Sequence, residues 1–217
     1  MTGHIDYLKN NRRDFSLDVL LEENILTNPF ELFDYWFGSA VDKQIVDANA
    51  MSLATVGRDN NPHVRIVLLR EYNEKGFVFY TNYRSSKAQQ IENNSNVCLH
   101  FFWKELVRQV RIQGVVSKVE SSVSNRYFDT RPKENQLGAY ASPQSQVIEN
   151  RKVLENNYKK WENEFSGKTI VRPEHWGGYI VKPTEFEFWQ GRESRLHDRF
   201  RYRLQKNNAW KIERLAP

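Results

Sequence analysis

The apolar positions of this 217-residue chain change period once. Near the start, Phe30, Phe33, Phe37 and Val41 recur at helical spacing and predict a helix over 28–44 with one buried face. Asn28 is placed to cap it, Pro29 suits its first position, and Glu31 stands three residues after the cap. From residue 50 the pattern turns to short apolar runs bounded by turn residues. They predict strands over 50–56, 62–72 and 76–82, the first two joined by Gly57-Arg58-Asp59-Asn60-Asn61. A short helix over 85–93 follows, then strands over 97–103 and 107–119, a helix over 121–130 stopped by Pro132, and a longer polar helix over 147–165. Strands over 178–182, 186–189, 199–205 and 210–215 close the chain, the last pair turning at Asn207-Asn208. Many short strands with turns between them predict a mainly β fold with peripheral helices, an antiparallel barrel closed or nearly so. The helices are too few and too irregular for a βαβ repeat. Residues 1–27, with the basic pair Arg12 and Arg13, read as a loosely attached arm ahead of one domain over 28–217.

Composition narrows the classes. With 39% hydrophobic and 27% charged residues, the chain can bury a core and is not of a disordered type. Aromatic residues reach 13%, enough to serve both a core and stacking surfaces for flat ligands. A net charge of +5 favours an anionic partner (nucleic acid, a membrane surface or a phosphorylated small molecule) without choosing among them. Cys98 is the only cysteine, which excludes an intrachain disulfide and a cysteine-based zinc site, and no metal is expected. Met1 to Asn11 is polar, and no run approaches the ~20 apolar residues of a membrane span, so the expectation is a cytoplasmic protein without membrane contact. No G-x-G-x-x-G opens a helix, and the phosphate-loop, nucleophile-elbow and H-E-x-x-H patterns are absent.

Four places carry candidate chemistry. Arg65 stands in the apolar strand His63-Val64-Arg65-Ile66-Val67-Leu68-Leu69-Arg70, on the face of Val67 and Leu69, while Arg70 shares the other face with Ile66 and Leu68. A guanidinium there needs either a bound anion or a protein carboxylate. Ser85-Ser86-Lys87 opens the short helix, where free N–H groups, hydroxyls and a lysine suit an anion, or serve only as a cap with a solvated lysine. Tyr127 and Arg131 lie four apart on one helix face, as a phosphate clamp or a surface pair. If 195–199 is extended, Arg195, His197 and Arg199 line one face at period two, as a solvated basic edge or as the wall of an anionic pocket.

Together these segments resemble the pyridoxine/pyridoxamine 5′-phosphate oxidase family, over about 28–217. The most specific blocks are Pro173-Glu174-His175-Trp176-Gly177-Gly178-Tyr179, Glu187-Phe188-Trp189-Gln190-Gly191-Arg192, Arg195-Leu196-His197-Asp198-Arg199 and Arg214-Leu215-Ala216-Pro217. Arg65-Ile66-Val67-Leu68-Leu69, Gly76-Phe77-Val78-Phe79-Tyr80-Thr81-Asn82, Lys87-Ala88 and Gln109-Val110 agree in order and spacing.

The resemblance implies a split-barrel protein that binds FMN and works as a homodimer with two sites at the subunit interface. It places the FMN phosphate at Arg65, Lys87 and the helix start at Ser86, with Gln144 and Ser145 from the other subunit. It places the rest of FMN against Ile66, Val67, Tyr80, Thr81, Gln109, Trp189 and Arg199. The substrate phosphate falls to Arg70, Tyr127, Arg131 and Asn135, the substrate ring to Arg195 and His197 as the catalytic pair, and Arg12 joins from the arm as a lid. The implied reaction is oxidation of pyridoxamine 5′-phosphate and pyridoxine 5′-phosphate by O2 to pyridoxal 5′-phosphate, by hydride transfer to flavin N5, with release of hydrogen peroxide and, from the amine, ammonia. This chain departs from the family pattern at Arg70, where Lys is usual, at Ser86, where Arg is common, at Asn135, where Ser is common, and at Phe15, where Tyr is usual.

Two other readings compete. Another split-barrel flavin reductase or oxidase keeps the barrel and Arg65 but has no need of the Tyr127/Arg131 pair or the basic row. An RNA-binding sheet would use Lys75-Gly76-Phe77-Val78-Phe79, but Val78 replaces a small residue and the βαββαβ order is missing, so no nucleic acid is expected.

Overall fold

A computed structural model describes residues 18–217, so Arg12, Arg13 and Phe15 lie outside the described residues. The elements, in chain order, are α1 (Pro29–Asp42), β1 (Ala50–Val56), β2 (Pro62–Leu68), β3 (Glu71–Asn73), β4 (Gly76–Asn82), α2 (Ser86–Asn93), β5 (Asn96–Trp103), β6 (Arg108–Lys118), α3 (Ser121–Asp129), α4 (Lys133–Ala141), α5 (Arg151–Glu164), β7 (Trp176–Gln190), β8 (Asp198–Leu204) and β9 (Trp210–Arg214). The fold is mainly β with peripheral helices. Contacts gather the described residues into two compact units, one of residues 18–48, His100–Ile112 and Glu185–Pro217, the other of Asn49–Leu99 and Gln113–Thr184.

In the first unit, Asn28 caps α1 by accepting from the N–H of Phe30 at 2.9 Å. The helix buries Leu32, Phe33, Trp36 and Ala40, with Trp36 edge-on to Phe188 and Phe33 edge-on to Phe101, at centroid distances of 5.3 and 5.1 Å. This face is rotated from the expected one: Val41 is exposed, because the larger rings of Phe33 and Trp36 set the contact. β8 pairs with β7 from Glu185↔Arg203 to Gln190↔Asp198, and with β9 on its other side. Residues 18–27, read from sequence as a loose arm, are held here. Leu20 is buried and donates its N–H to Asp198 Oδ2, and Arg214 pairs with Glu22.

In the second unit the strands are ordered β2-β1-β5-β6-β7-β4-β3. β1 pairs with β2 from Ala50↔Leu68 to Val56↔Pro62, and β4 with β7 from Phe77↔Val181 to Asn82↔Trp176. β4 is buried on both faces, which explains its unbroken apolar run. Phe128, Leu137, Ala139, Ile170 and Trp176 form a side core against which Tyr80 and Tyr127 pack.

Four expectations are corrected. The strand over 62–72 breaks after Leu68: the N–H of Leu69 donates to Asn49 O and that of Arg70 to Val78 O, so the chain leaves β1 for β4 and continues as β3. The strands over 178–182 and 186–189 are one, β7, despite Pro183. Pairing with β4 ends at Val181 and pairing with β8 starts at Glu185, so the missing N–H falls in the gap. α4, where the sequence pattern assigned no element, follows Pro132 directly. Finally, Arg195 is not extended. Ser194 and Arg195 sit at φ 54° and 60° in a short 3-10 turn, and β8 begins only at Asp198, so the three-residue basic row does not exist as a strand face.

Candidate functional site

The second unit carries an open cleft of about 410 Å³. β2 contributes Ile66, Val67 and Leu68, and the break after it turns Arg70 into the cleft. β4 contributes Tyr80, Thr81 and Asn82, α2 contributes Lys87, and Trp176 opens β7. Tyr127 on α3, Arg131 just beyond it, Glu134 and Asn135 on α4, and Gln144 after α4 complete the wall. Ten residues singled out from sequence therefore converge.

Lys87 marks one end. Ser85 caps α2, its Oγ accepting from the N–H of Ala88 at 3.4 Å, which sets Lys87 on the first turn. Lys87 Nζ donates to Thr81 Oγ1 at 3.1 Å, Gln144 Oε1 at 3.2 Å and Ser85 Oγ at 3.4 Å, all neutral acceptors. Arg65, half-buried near it, donates to the carbonyls of Leu53 and His63, to Thr55 Oγ1 and to Gln90 Oε1, also neutral. Of the two partners open to Arg65 from sequence, a protein carboxylate is thus not the one found. Burial, and then the charge of Arg65, pull Lys87 down to about 8. Arg65 itself does not line the cleft, and neither does Ser86, which is exposed.

Arg131 and Arg70 mark the other end. Arg131 lies past the last turn of α3, not on it, with its guanidinium over the Trp176 ring at 4.4 Å. Its Nη1 is buried without a hydrogen-bond partner. Burial lowers its pKa and Arg70 adds to that, while Tyr127 opposes. An orphaned guanidinium N–H is costly until an acceptor arrives. Tyr80, which also lines the cleft, stacks on Tyr127 at 3.9 Å and on Trp176 at 5.4 Å. Burial pushes the Tyr80 hydroxyl up to about 12, so it stays protonated at neutral pH.

Gln109, Trp189, Arg195, His197 and Arg199 belong to the first unit. Trp189 and Arg199 are opposite each other on β7 and β8, and the His197 ring lies 4.6 Å from that of Trp189. His197 Nδ1 accepts the N–H of Arg192 at 3.1 Å, and burial, with Arg195, lowers its pKa against Asp198. Gln109 Oε1 lies 3.0 Å from His100 Nε2. Arg199 is paired with Glu187 at 2.8 Å, and Arg195 is exposed in its turn.

Gln144 needs correction: the resemblance assigns it to the partner's site, but it lies in its own chain's cleft, because α4 ends three residues before it and packs on the same wall. Ser145, at φ 73°, is exposed and does not line the cleft. Sequence reasoning missed Trp176, Gln90, Thr55 and Glu187. For Trp176 and Glu187 a signal existed: a ring in a Gly-flanked block, and an acid between Phe186 and Phe188. Nothing in the sequence marks Gln90 or Thr55.

Among the described residues no helix is long and apolar enough to cross a membrane. Residues 37–165 match the family model described as pyridoxamine 5′-phosphate oxidase, and residues 176–217 match the pyridoxine 5′-phosphate oxidase C-terminal dimerisation region. The chain is 50% identical over 210 residues to a pyridoxine/pyridoxamine 5′-phosphate oxidase of Flavobacterium johnsoniae, covering 96% of this chain and 98% of that protein. It is 50% identical over 206 residues to one of Nostoc punctiforme, covering 95% and 96%. Among solved structures it is similar to PhzG from Burkholderia lata in complex with tetrahydrophenazine-1-carboxylic acid, at 26% identity and a TM-score of 0.86, covering 93% of this chain and all of that one. A pyridoxamine 5′-phosphate oxidase-related, FMN-binding protein of Nostoc punctiforme shares the fold at 17% identity and a TM-score of 0.70, covering 89% of this chain and all of that one.

Proposed function

The chain belongs to the pyridoxine/pyridoxamine 5′-phosphate oxidase family, and on that premise we propose how its residues carry out the family's reaction, the oxidation of pyridoxamine 5′-phosphate and pyridoxine 5′-phosphate by O2 to pyridoxal 5′-phosphate and hydrogen peroxide. The amine substrate also takes up water and releases ammonia. The observation that carries the reading is the cleft with two cationic ends, in which Lys87, Arg70 and Arg131 pair with no described carboxylate and Arg131 Nη1 is orphaned. Two phosphates match two such ends.

FMN fits the first end. Lys87 and Arg65 hold its phosphate by charge, with Thr81 and Gln144 orienting the ammonium. When bound, FMN supplies the two-electron acceptor and passes the electrons to O2. Ile66, Val67 and Tyr80 form the wall for its planar part, and Gln109, Trp189 and Arg199 contact it in the assembled homodimer. At the second end Arg131, Arg70, Tyr127 and Asn135 grip the substrate phosphate, the guanidinium groups as donors to phosphate oxygens. His197 and Arg195 hold the substrate ring. The contribution of all these groups is positioning, which removes the cost of bringing two rings to reacting distance. The tetrahydrophenazine-1-carboxylic acid bound by PhzG bears no phosphate in its name, and the paired cations Arg70 and Arg131 favour the phosphorylated substrate here.

The test is direct. Protein loaded with FMN is given each phosphorylated substrate under air. Equal amounts of peroxide and pyridoxal 5′-phosphate are expected, with ammonia from the amine alone and little turnover of unphosphorylated pyridoxine. Equal turnover with and without the phosphate would refute the role of the second end.

A further inference from the structure

Glu187 is a buried carboxylate on β7 between two fully buried phenylalanines, Phe186 and Phe188. Its two oxygens are divided between two arginines of the same unit. Oε1 accepts from Arg199 Nε at 3.0 Å and Arg199 Nη2 at 2.8 Å, and Oε2 accepts from Arg111 Nη2 at 2.5 Å. Arg199 gives its Nη1 to the carbonyl of Ala216 at 2.7 Å. All three guanidinium nitrogens are therefore anchored, and one N–H on each of Nη1 and Nη2 remains for a further acceptor. A buried carboxylate is tolerated only when paired in this way. The pairing also fixes the plane of the guanidinium before any ligand arrives, so binding need not order it.

We propose that Glu187 is a positioning residue for the cofactor site: it holds the Arg199 guanidinium in one plane and offsets part of its charge, so that Arg199 meets the flavin preplaced. The proposal rests on the reading of Arg199 as a flavin contact. Glu187 acts through the arginines it touches. Two separable effects follow. Removing the side chain frees Arg199 to rotate and weakens FMN binding. Replacing the carboxylate by an amide keeps an acceptor for Arg199 but removes the offsetting charge, which leaves Arg199 and Arg111 more strongly positive and raises the reduction potential of the bound flavin.

The experiment is a double-mutant cycle on apoprotein, read by quenching of FMN fluorescence on titration, with Glu187→Ala, Arg199→Ala and the double variant. Arg199→Ala and Glu187→Ala are each expected to weaken FMN binding by roughly tenfold, the order of one charge-assisted hydrogen bond. The double variant is expected to bind no more weakly than Arg199→Ala. If Glu187→Ala costs the same factor in both backgrounds, Glu187 merely supports the fold and the proposal is overturned. Wild-type affinity in Glu187→Ala overturns it as well. Wild-type affinity in Arg199→Ala instead removes the reading of Arg199 on which the proposal stands, and so separates that failure from the other two. Should the alanine variant not fold, Glu187→Gln decides by its flavin reduction potential: an upward shift supports the proposal, and an unchanged potential overturns it.

Discussion

Lys87 places its ammonium on three neutral oxygens and faces Arg65, and burial, followed by the charge of Arg65, lowers its pKa to about 8. In the proposed role the ammonium must be protonated to attract the FMN phosphate, and a group with a depressed pKa loses its proton as pH rises through that value. Affinity of apoprotein for FMN is therefore expected to fall as pH rises from 7 through about 8 toward 10. Lys87→Met is expected to bind FMN more weakly at pH 7 and to lose most of that dependence, which a titration series in buffers of equal ionic strength will reveal. Arg131 makes a different prediction. On the proposed placement Arg131→Ala removes a guanidinium from the substrate end alone, so FMN content should be unchanged while KM for pyridoxamine 5′-phosphate rises about ten- to a hundred-fold. A variant that instead purified without flavin would move Arg131 to the cofactor end. At this scale the sequence disclosed which residues matter, since Arg65 is a cation among apolar neighbours, Lys87 opens a helix behind two serines, and Arg131 follows Tyr127 at helical spacing. It did not disclose what satisfies them: Thr55 and Gln90 reach Arg65 from β1 and α2, 10 and 25 residues away.

Elements built from local patterns were legible with their ends nearly in place. β1 and β4 have the bounds expected of them, and the caps Asn28 and Ser85 start α1 and α2. Elements whose limits depend on a neighbouring strand were not legible. The end of β2 at Leu68 is a change of partner, and Pro183 inside β7 is harmless only because pairing switches around it. Gly178 on β7 shows how closely this unit is fitted to the site. A Cβ there would lie 2.8 Å from Tyr80 Cε1 and 2.8 Å from Val119 Cγ2. Gly178→Ala must push the Tyr80 ring out of its stack with Tyr127 and Trp176. The expected cost is about 1–3 kcal/mol of stability from overpacking, seen as a lower Tm, together with weaker FMN binding. Normal FMN affinity in a destabilised variant would show that the stack belongs to the core and not to the site.

At the scale of the whole molecule, residues 176–217 match a dimerisation region and include β7, β8 and β9, so assembly and fold share strands. Light scattering should give twice the chain mass, and the unfolding midpoint should rise with protein concentration, as mass action requires when folding and association are linked. A concentration-independent midpoint from a particle of single-chain mass would contradict the dimer. The sequence by itself determined the mainly β class, the family, and the cations and rings that gather in the cleft, because these follow from periodicity, composition and short ordered blocks. Only the tertiary structure decided which of them meet. It put Gln144 beside Lys87 in the same chain, moved Arg195 off the strand that carries Arg199, and set Glu187 against Arg199. Each of these rests on a turn, a change of strand partner or a cross-strand contact between residues distant in sequence. Spacing along a chain fixes which face a side chain takes within an element, and packing between elements fixes what that face will meet.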